Sequence, residues 1–174
     1  ALALLMGLAA AATSAADAMP TLTLSTLQQH NGVAIDTRLS AFYNGWPQGA
    51  NGPQGHEPQA LNLAAGWLGA MTDEQLGAWA KLHNLQASTP IALYGDADDN
   101  AKVAARLKAA GFTHLSSLDD ALSQAERLQK LPHFEQLVYP QWLHDLQQDK
   151  PVTAAPAGHW KVFEAAWGAP KFYL

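Results

Sequence analysis

Pro90-Ile91-Ala92-Leu93-Tyr94-Gly95-Asp96-Ala97-Asp98-Asp99-Asn100-Ala101-Lys102-Val103-Ala104-Ala105-Arg106-Leu107-Lys108-Ala109-Ala110-Gly111-Phe112 changes its hydrophobic period once. Ile91 to Tyr94 is an unbroken apolar run, the pattern of a strand covered on both faces. From Asn100 to Ala110 the period becomes helical. Val103, Ala104 and Leu107 share one face, and Gly111 stands as the residue just past the end. Between the two, Gly95 to Asn100 reads as a loop joining strand to helix.

Working outward, the same alternation recurs. Val33-Ala34-Ile35 is a second buried run, ending at Asp36. Ser25 precedes a short helix holding Leu27 as its N-cap, and Asn31-Gly32 is a turn. Ser40 caps another short helix with Phe42 and Tyr43, and Gly45 to Gly55 is a Gly/Pro/Asn/Gln loop. Thr72-Asp73-Glu74-Gln75 is a capping box opening a helix to about His83, with Leu76, Trp79, Ala80 and His83 on one face. His114-Leu115-Ser116 is a third, short strand. Strands alternating with helices predict an α/β layer fold around a mainly parallel sheet. Active sites of such folds lie beyond the carboxyl ends of the strands, so the loops after Ile35 and after Tyr94 are the ones that matter.

The chain has 174 residues, 48% of them hydrophobic and 14% charged, enough apolar content for a packed core. A formal net charge of -5 argues against a nucleic-acid partner, whose phosphates need a basic surface. Cysteine is absent, which excludes disulfides, thiolate metal sites and a cysteine nucleophile within this chain. Ala1 to Ala12 is apolar and uncharged. As a helix it would span roughly 18 Å, short of a hydrocarbon core of about 30 Å. Ser14-Ala15-Ala16 and Ala16-Asp17-Ala18 both suit signal peptidase, so residues 1–18 read as the remnant of a cleaved secretory signal. The expected location is the periplasm, with no membrane association after cleavage. An Ala-rich helix of the mature domain is the competing reading, but no polar second face marks one.

From Ser123 to His159 the texture changes. Gln is frequent, Pro132, Pro140, Pro151 and Pro156 punctuate the segment, and Phe134, Tyr139 and Trp142 are interspersed. These aromatic residues read as a connector that packs on something. Trp160-Lys161-Val162-Phe163-Glu164 then reads as a buried strand opening a second, incomplete module. The expected organisation is a signal remnant over 1–18, a domain over 19–122, a connector over 123–159 and the start of another domain over 160–174. A polypeptide continuing past Leu174 is expected.

Several segments, in order, resemble the rhodanese family. Val33-Ala34-Ile35-Asp36-Thr37-Arg38 resembles its opening strand and Asp-x-Arg. Gly55-His56-Glu57-Pro58-Gln59-Ala60-Leu61-Asn62 resembles its Gly-His-Ile-Pro-Gly-Ala-x-Asn segment, departing at Glu57 and Gln59. Pro90 to Tyr94 resembles the strand before the catalytic loop, and Leu107 to Phe112 the helix end after it. Leu118-Asp119 resembles the closing Leu-x-Gly-Gly, with Asp120 and Ala121 in place of the glycines. Ser40 to Pro47, Leu131 to Pro140 and Glu164 to Lys171 resemble exported enterobacterial thiosulfate sulfurtransferases built of tandem rhodanese domains. The resemblance implies a three-layer α/β fold, a downstream module beginning near Trp160, and a parent that moves sulfane sulfur from thiosulfate to a thiophilic acceptor through a cysteine persulfide. Its partners would be the downstream rhodanese domains, thiosulfate serves the parent only, and no cofactor is implied.

The nucleophile's place, carried over from the resemblance, falls on Gly95. The degenerate loop Gly95, Asp96, Ala97, Asp98, Asp99 and Asn100 has no thiol, and its three carboxylates oppose an entering anion. The module is therefore expected to be inactive. A calcium loop is the rival reading, since Asp96, Asp98 and Asn100 fall at its first, third and fifth places. Ala101 and Leu107 fail its sixth and twelfth. Asp36 and Arg38 read as a structural pair, and Gly55 and His56 as a structural turn. The seven histidines make no His-x-x-x-His pair, so no metal site is expected. A non-catalytic binding or scaffolding module is the alternative function.

Overall fold

The computed structural model describes residues 19–163; the apolar run read as a signal and the segment from Glu164 onward lie outside the described residues. The elements are β1 Thr21–Leu22, α1 Leu24–Gln29, β2 Val33–Asp36, α2 Ser40–Asn44, β3 Leu61–Asn62, α3 Asp73–Leu82, β4 Ile91–Tyr94, α4 Ala97–Ala109, β5 Leu115–Leu118 and α5 Pro140–Gln147. The five strands form one sheet in the order β1-β5-β4-β2-β3, and every pairing is parallel. The α/β architecture expected from the alternation is thus the one observed. Short 3₁₀ turns at Ala65–Trp67, Ala125–Arg127 and Phe134–Gln136 complete the pattern.

β4 lies between β5 and β2, and all four of its residues are buried. Its alternating side chains feed two cores. Ile91 and Leu93 join Ile35, Leu76, Ala80, Val103 and Leu107, so α3 and α4 cover one face. Ala92 and Tyr94 join Ala34, Leu24, Leu27 and Leu118, so α1 covers the other. The result is three layers. Continuous apolar runs in β2 and β4 are what a sheet buried on both sides requires.

Several boundaries differ from the sequence reading. Thr23, not Ser25, caps α1, accepting from Thr26 N at 3.2 Å. Ser40 is the first helical residue of α2 and its hydroxyl turns to Asn62, leaving Leu39 at the cap position. α4 starts at Ala97, three residues earlier than its apolar face suggests. Extended Asp96 precedes it, and Asp98 and Asp99 occupy its first turn, where negative charge suits the exposed N–H groups. β1 and β3 are two-residue pairings too short to leave a period. The capping box of Thr72 and Gln75 forms as read, with reciprocal bonds of 3.2 and 2.8 Å. Among the described residues Trp160 to Phe163 pair with no strand, and Phe163 is 81% exposed. An apolar run becomes a strand only where a neighbour supplies hydrogen bonds.

The described chain divides into two compact units, the first running to Phe134 and the second from Glu135. The sequence reading starts the connector at Ser123, whereas residues 123–134 belong to the first unit. In the second unit Pro140 occupies the first turn of α5, where its missing N–H costs nothing. Trp142 is buried and donates its indole N–H to Thr153 O at 2.7 Å. Asp145 accepts from Gln141 Nε2 and Lys150 Nζ, each at 2.9 Å. Among the described residues no helix is long and apolar enough to cross a membrane.

Burial pushes the Tyr94 phenol far above its ordinary range, with the Asp36 carboxylate adding to the rise; burial does the same, less strongly, for Tyr43. Both phenols ionise more readily in the unfolded chain. Their contribution to stability is complete below the ordinary tyrosine pKa of about 10 and is lost as pH rises beyond it. Denaturant unfolding should therefore give a midpoint that falls above about pH 10, and Tyr94→Phe should make that decline shallower. A decline of equal slope in the variant would remove Tyr94 from this account.

Candidate functional site

The register of β2 on β4 builds the site. Asp36 pairs with Tyr94, so both strands end level and their next residues, Thr37 and Gly95, lie side by side. Thr37 N donates to Tyr94 O at 2.9 Å, extending the ladder one step past the strands. The sequence-derived residues Asp36, Arg38, Gly55 and Gly95 to Asn100 thus gather at the carboxyl end of the sheet.

Asp36 is 0% exposed and Arg38 2% exposed. Their contact is two-pronged: Arg38 Nη2 to Asp36 Oδ2 at 2.6 Å and Arg38 Nε to Asp36 Oδ1 at 3.0 Å. Asp36 Oδ1 also accepts from Arg38 N at 3.0 Å, closing a tight turn. Arg38 Nη2 donates again to Gly55 O at 2.7 Å, while Nη1 has no partner among the described residues. Asn62 Nδ2 donates to Asp36 O and Arg38 O, both at 3.0 Å. These two residues tie the end of β2 to β3 and to the loop at Gly55. The two charges meet each other away from water.

His56 is likewise a fastening. Its Nδ1 is 2.7 Å from Tyr43 O, and its ring stacks on Tyr43 with centroids 3.8 Å apart and planes 9° from parallel. Among the described residues no group of three or more histidine, aspartate or glutamate side chains could hold a metal ion.

The expected loop over Gly95 to Asn100 is shorter than read. Ala97 to Asn100 form the first turn of α4, so only Gly95 and Asp96 join it to β4. Asp98 and Asp99 in that first turn suit a helix start. Gly95 has φ +135°, a conformation that side-chain-bearing residues rarely adopt. A Cβ built there would lie 2.4 Å from Thr37 Oγ1. That hydroxyl donates to Asn100 Oδ1 at 2.8 Å, with Tyr94 O 3.1 Å away. The Thr37–Asn100 bond therefore stands where the first carbon of any side chain at residue 95 would go. Of the acids, Asp99 pairs with Lys102 at 3.0 Å and Asp96 accepts from Gln48 Nε2 at 3.3 Å.

Two features escaped the sequence reading. Asn100 is named there as a loop residue; its work is to hold Thr37 from the helix. Glu57, read only as a departure, is fully buried, and Arg127 meets it with Nε at 2.7 Å and Nη2 at 2.9 Å. A charge where the resembling family segment has isoleucine was the signal available for Glu57. Nothing in the chain's pattern pointed to residue 127.

No protein-family model matches this chain. Over all 174 residues it is 66% identical to the thiosulfate sulfurtransferase YnjE of Escherichia coli strain K12, and it spans 40% of that protein's length. The crystal structure of YnjE superposes with a TM-score of 0.81 at 68% identity, covering 90% of this chain and 38% of that one. Structures of EanB, including a C412S form with hercynine, share the fold with a TM-score of 0.68 at 22% identity, over 79% of this chain and 34% of theirs.

Placing a side chain at residue 95 should strain the site. Gly95→Ala and Gly95→Cys are each expected to lower stability by roughly 1–3 kcal/mol, from the positive φ and the displaced Thr37. Adding Thr37→Ala should recover part of the loss. Thermal unfolding of the four proteins checks this, and an unchanged midpoint in Gly95→Ala would sink the steric reading.

Proposed function

We propose that this chain, similar along its whole length to part of a thiosulfate sulfurtransferase, is the non-catalytic N-terminal rhodanese-like module of a longer periplasmic enzyme. The observation that carries the proposal is Gly95. At the head of the segment between β4 and α4, where the chemistry calls for a thiolate, the residue has no side chain and Thr37 Oγ1 fills the space one would occupy. With no cysteine anywhere in the 174 residues, no persulfide can form on it.

In the whole enzyme, a downstream cysteine thiolate attacks the outer sulfur of thiosulfate. The S–S bond breaks, sulfite leaves with the bonding pair, and the sulfur stays as a persulfide. An acceptor nucleophile such as cyanide then takes that sulfur and returns the thiolate. This module contributes no atom to either step. Its parallel sheet, closed ion pair and blocked strand end make a rigid body on which the catalytic module is oriented. Secretion accords with the apolar run at Ala1 to Ala12 and the small residues that follow it.

The test is thiocyanate formation from thiosulfate and cyanide. The purified chain should show only the uncatalysed rate, while the longer polypeptide carrying a downstream cysteine turns over. Turnover by the chain alone would refute the inactive-module reading. A longer polypeptide with no activity at all would favour the binding or scaffolding alternative.

A further inference from the structure

We propose that residues Leu122 to Phe134 are a latch rather than a tether: a strap seated in the first unit and locked by the ion pair of buried Glu57 with partly exposed Arg127. The proposal stands on geometry within one compact unit and is independent of the sulfur chemistry.

Glu57 is contributed by the body of the domain and is 0% exposed. Its carboxylate oxygens accept three bonds, all from the strap: Arg127 Nε to Oε2 at 2.7 Å, Arg127 Nη2 to Oε1 at 2.9 Å, and Leu122 N to Oε1 at 2.6 Å. Every donor shown to balance this charge would leave with the strap. A carboxylate stranded in that way is strongly destabilising, so the lock holds by the cost of opening it. Arg127 is the partner suited to the task, because its planar fork meets both oxygens at once. Its own charged state is favoured chiefly by the hydrogen bonds to Glu57.

The rest of the seat is shaped to the strap. His56 and Gln129 exchange backbone bonds of 2.9 and 2.8 Å as an isolated antiparallel bridge. Leu131 N donates to Asn44 O at 2.8 Å, and Lys130 Nζ to Gln54 Oε1 at 2.7 Å. Phe134 meets Trp46 edge-on, with centroids 5.6 Å apart. Two glycines make room. A Cβ at Gly55 would lie 2.2 Å from Gln129 O, and one at Gly45 would lie 2.6 Å from Phe134 Cδ1. Gly55 O is also the second acceptor of Arg38 Nη2, so the strap's seat and the buried ion pair share one peptide.

The latch gives residues downstream of Phe134 a fixed point of departure from the domain. A polypeptide released at Ser123 would instead leave from a mobile end. The Glu57–Arg127 pair is thus a positioning pair for whatever follows in sequence.

A double-mutant cycle in the full chain tests this, using Arg127→Met, Glu57→Ile (the residue found in the resembling family segment) and both together. The readouts are amide hydrogen exchange at Gln129 and, as a reference for the body, at Leu93. Arg127→Met leaves Glu57 buried alone, and exchange at Gln129 should rise at least about 10-fold with Leu93 changed less than about 2-fold. In the Glu57→Ile background the same substitution should add less than about 2-fold. If Arg127→Met does not fold, folding of the double variant supports the lock. Failure of the double variant where Glu57→Ile alone folds overturns it. So do an unchanged Gln129 rate, a parallel rise at Leu93, or equal effects of Arg127→Met in both backgrounds.

Discussion

The carboxylate of Asp36 has no access to water, and the guanidinium facing it has almost none. A charge in that position is tolerated only if its partner is held in place, and here the holding is mutual. Asp36 ends the second strand, Arg38 follows two residues later, and the intervening Thr37 continues the ladder onto the neighbouring strand. The turn that brings the two charges together also aims Thr37 at Asn100 and hands the other arm of Arg38 to Gly55. Strand end, helix start and distant loop are therefore set by one closed pair.

From that pair the blocked site follows. Register places residue 95 beside Thr37, so any side chain there competes with the Thr37 hydroxyl for the same space. The helix beginning at Ala97 places Asp98 and Asp99 in its first turn, where their carboxylates lie by the N–H groups of the helix start. Steric exclusion at residue 95 and carboxylates in the first turn of α4 both mark this strand end.

The second ion pair, of buried Glu57 with partly exposed Arg127, works at a different scale. Asp36 and Arg38 are neighbours in sequence and close a turn. Glu57 and Arg127 are 70 residues apart and fasten a terminal segment onto the domain. Gly55 lies between them in space and in logic, accepting from Arg38 while leaving room for the backbone at Gln129. The two pairs make the carboxyl end of the sheet and the strap beside it a single hydrogen-bonded assembly. Only the first unit is organised in this way. The second has its own short helix, with Trp142 donating to Thr153.

The sequence by itself determined the layered α/β class, because continuous apolar runs at Val33–Ile35 and Ile91–Tyr94 fit only strands covered on both faces. It likewise determined the helix opened by Thr72 and Gln75, whose signal is local, and the absence of a thiol at residue 95. The two-residue edge strands were not legible, since two residues cannot display a period. The early start of α4 was half legible. The acids were plain, but whether they cap a helix or line a loop depends on the backbone between them. Trp160 to Phe163 show the converse case, a strand-like run that pairs with no strand among the described residues. The Thr37 hydroxyl at residue 95 and the meeting of Glu57 with Arg127 were decided by tertiary structure alone. Both depend on register and loop closure between segments tens of residues apart, and side-chain type along a chain carries no record of that distance.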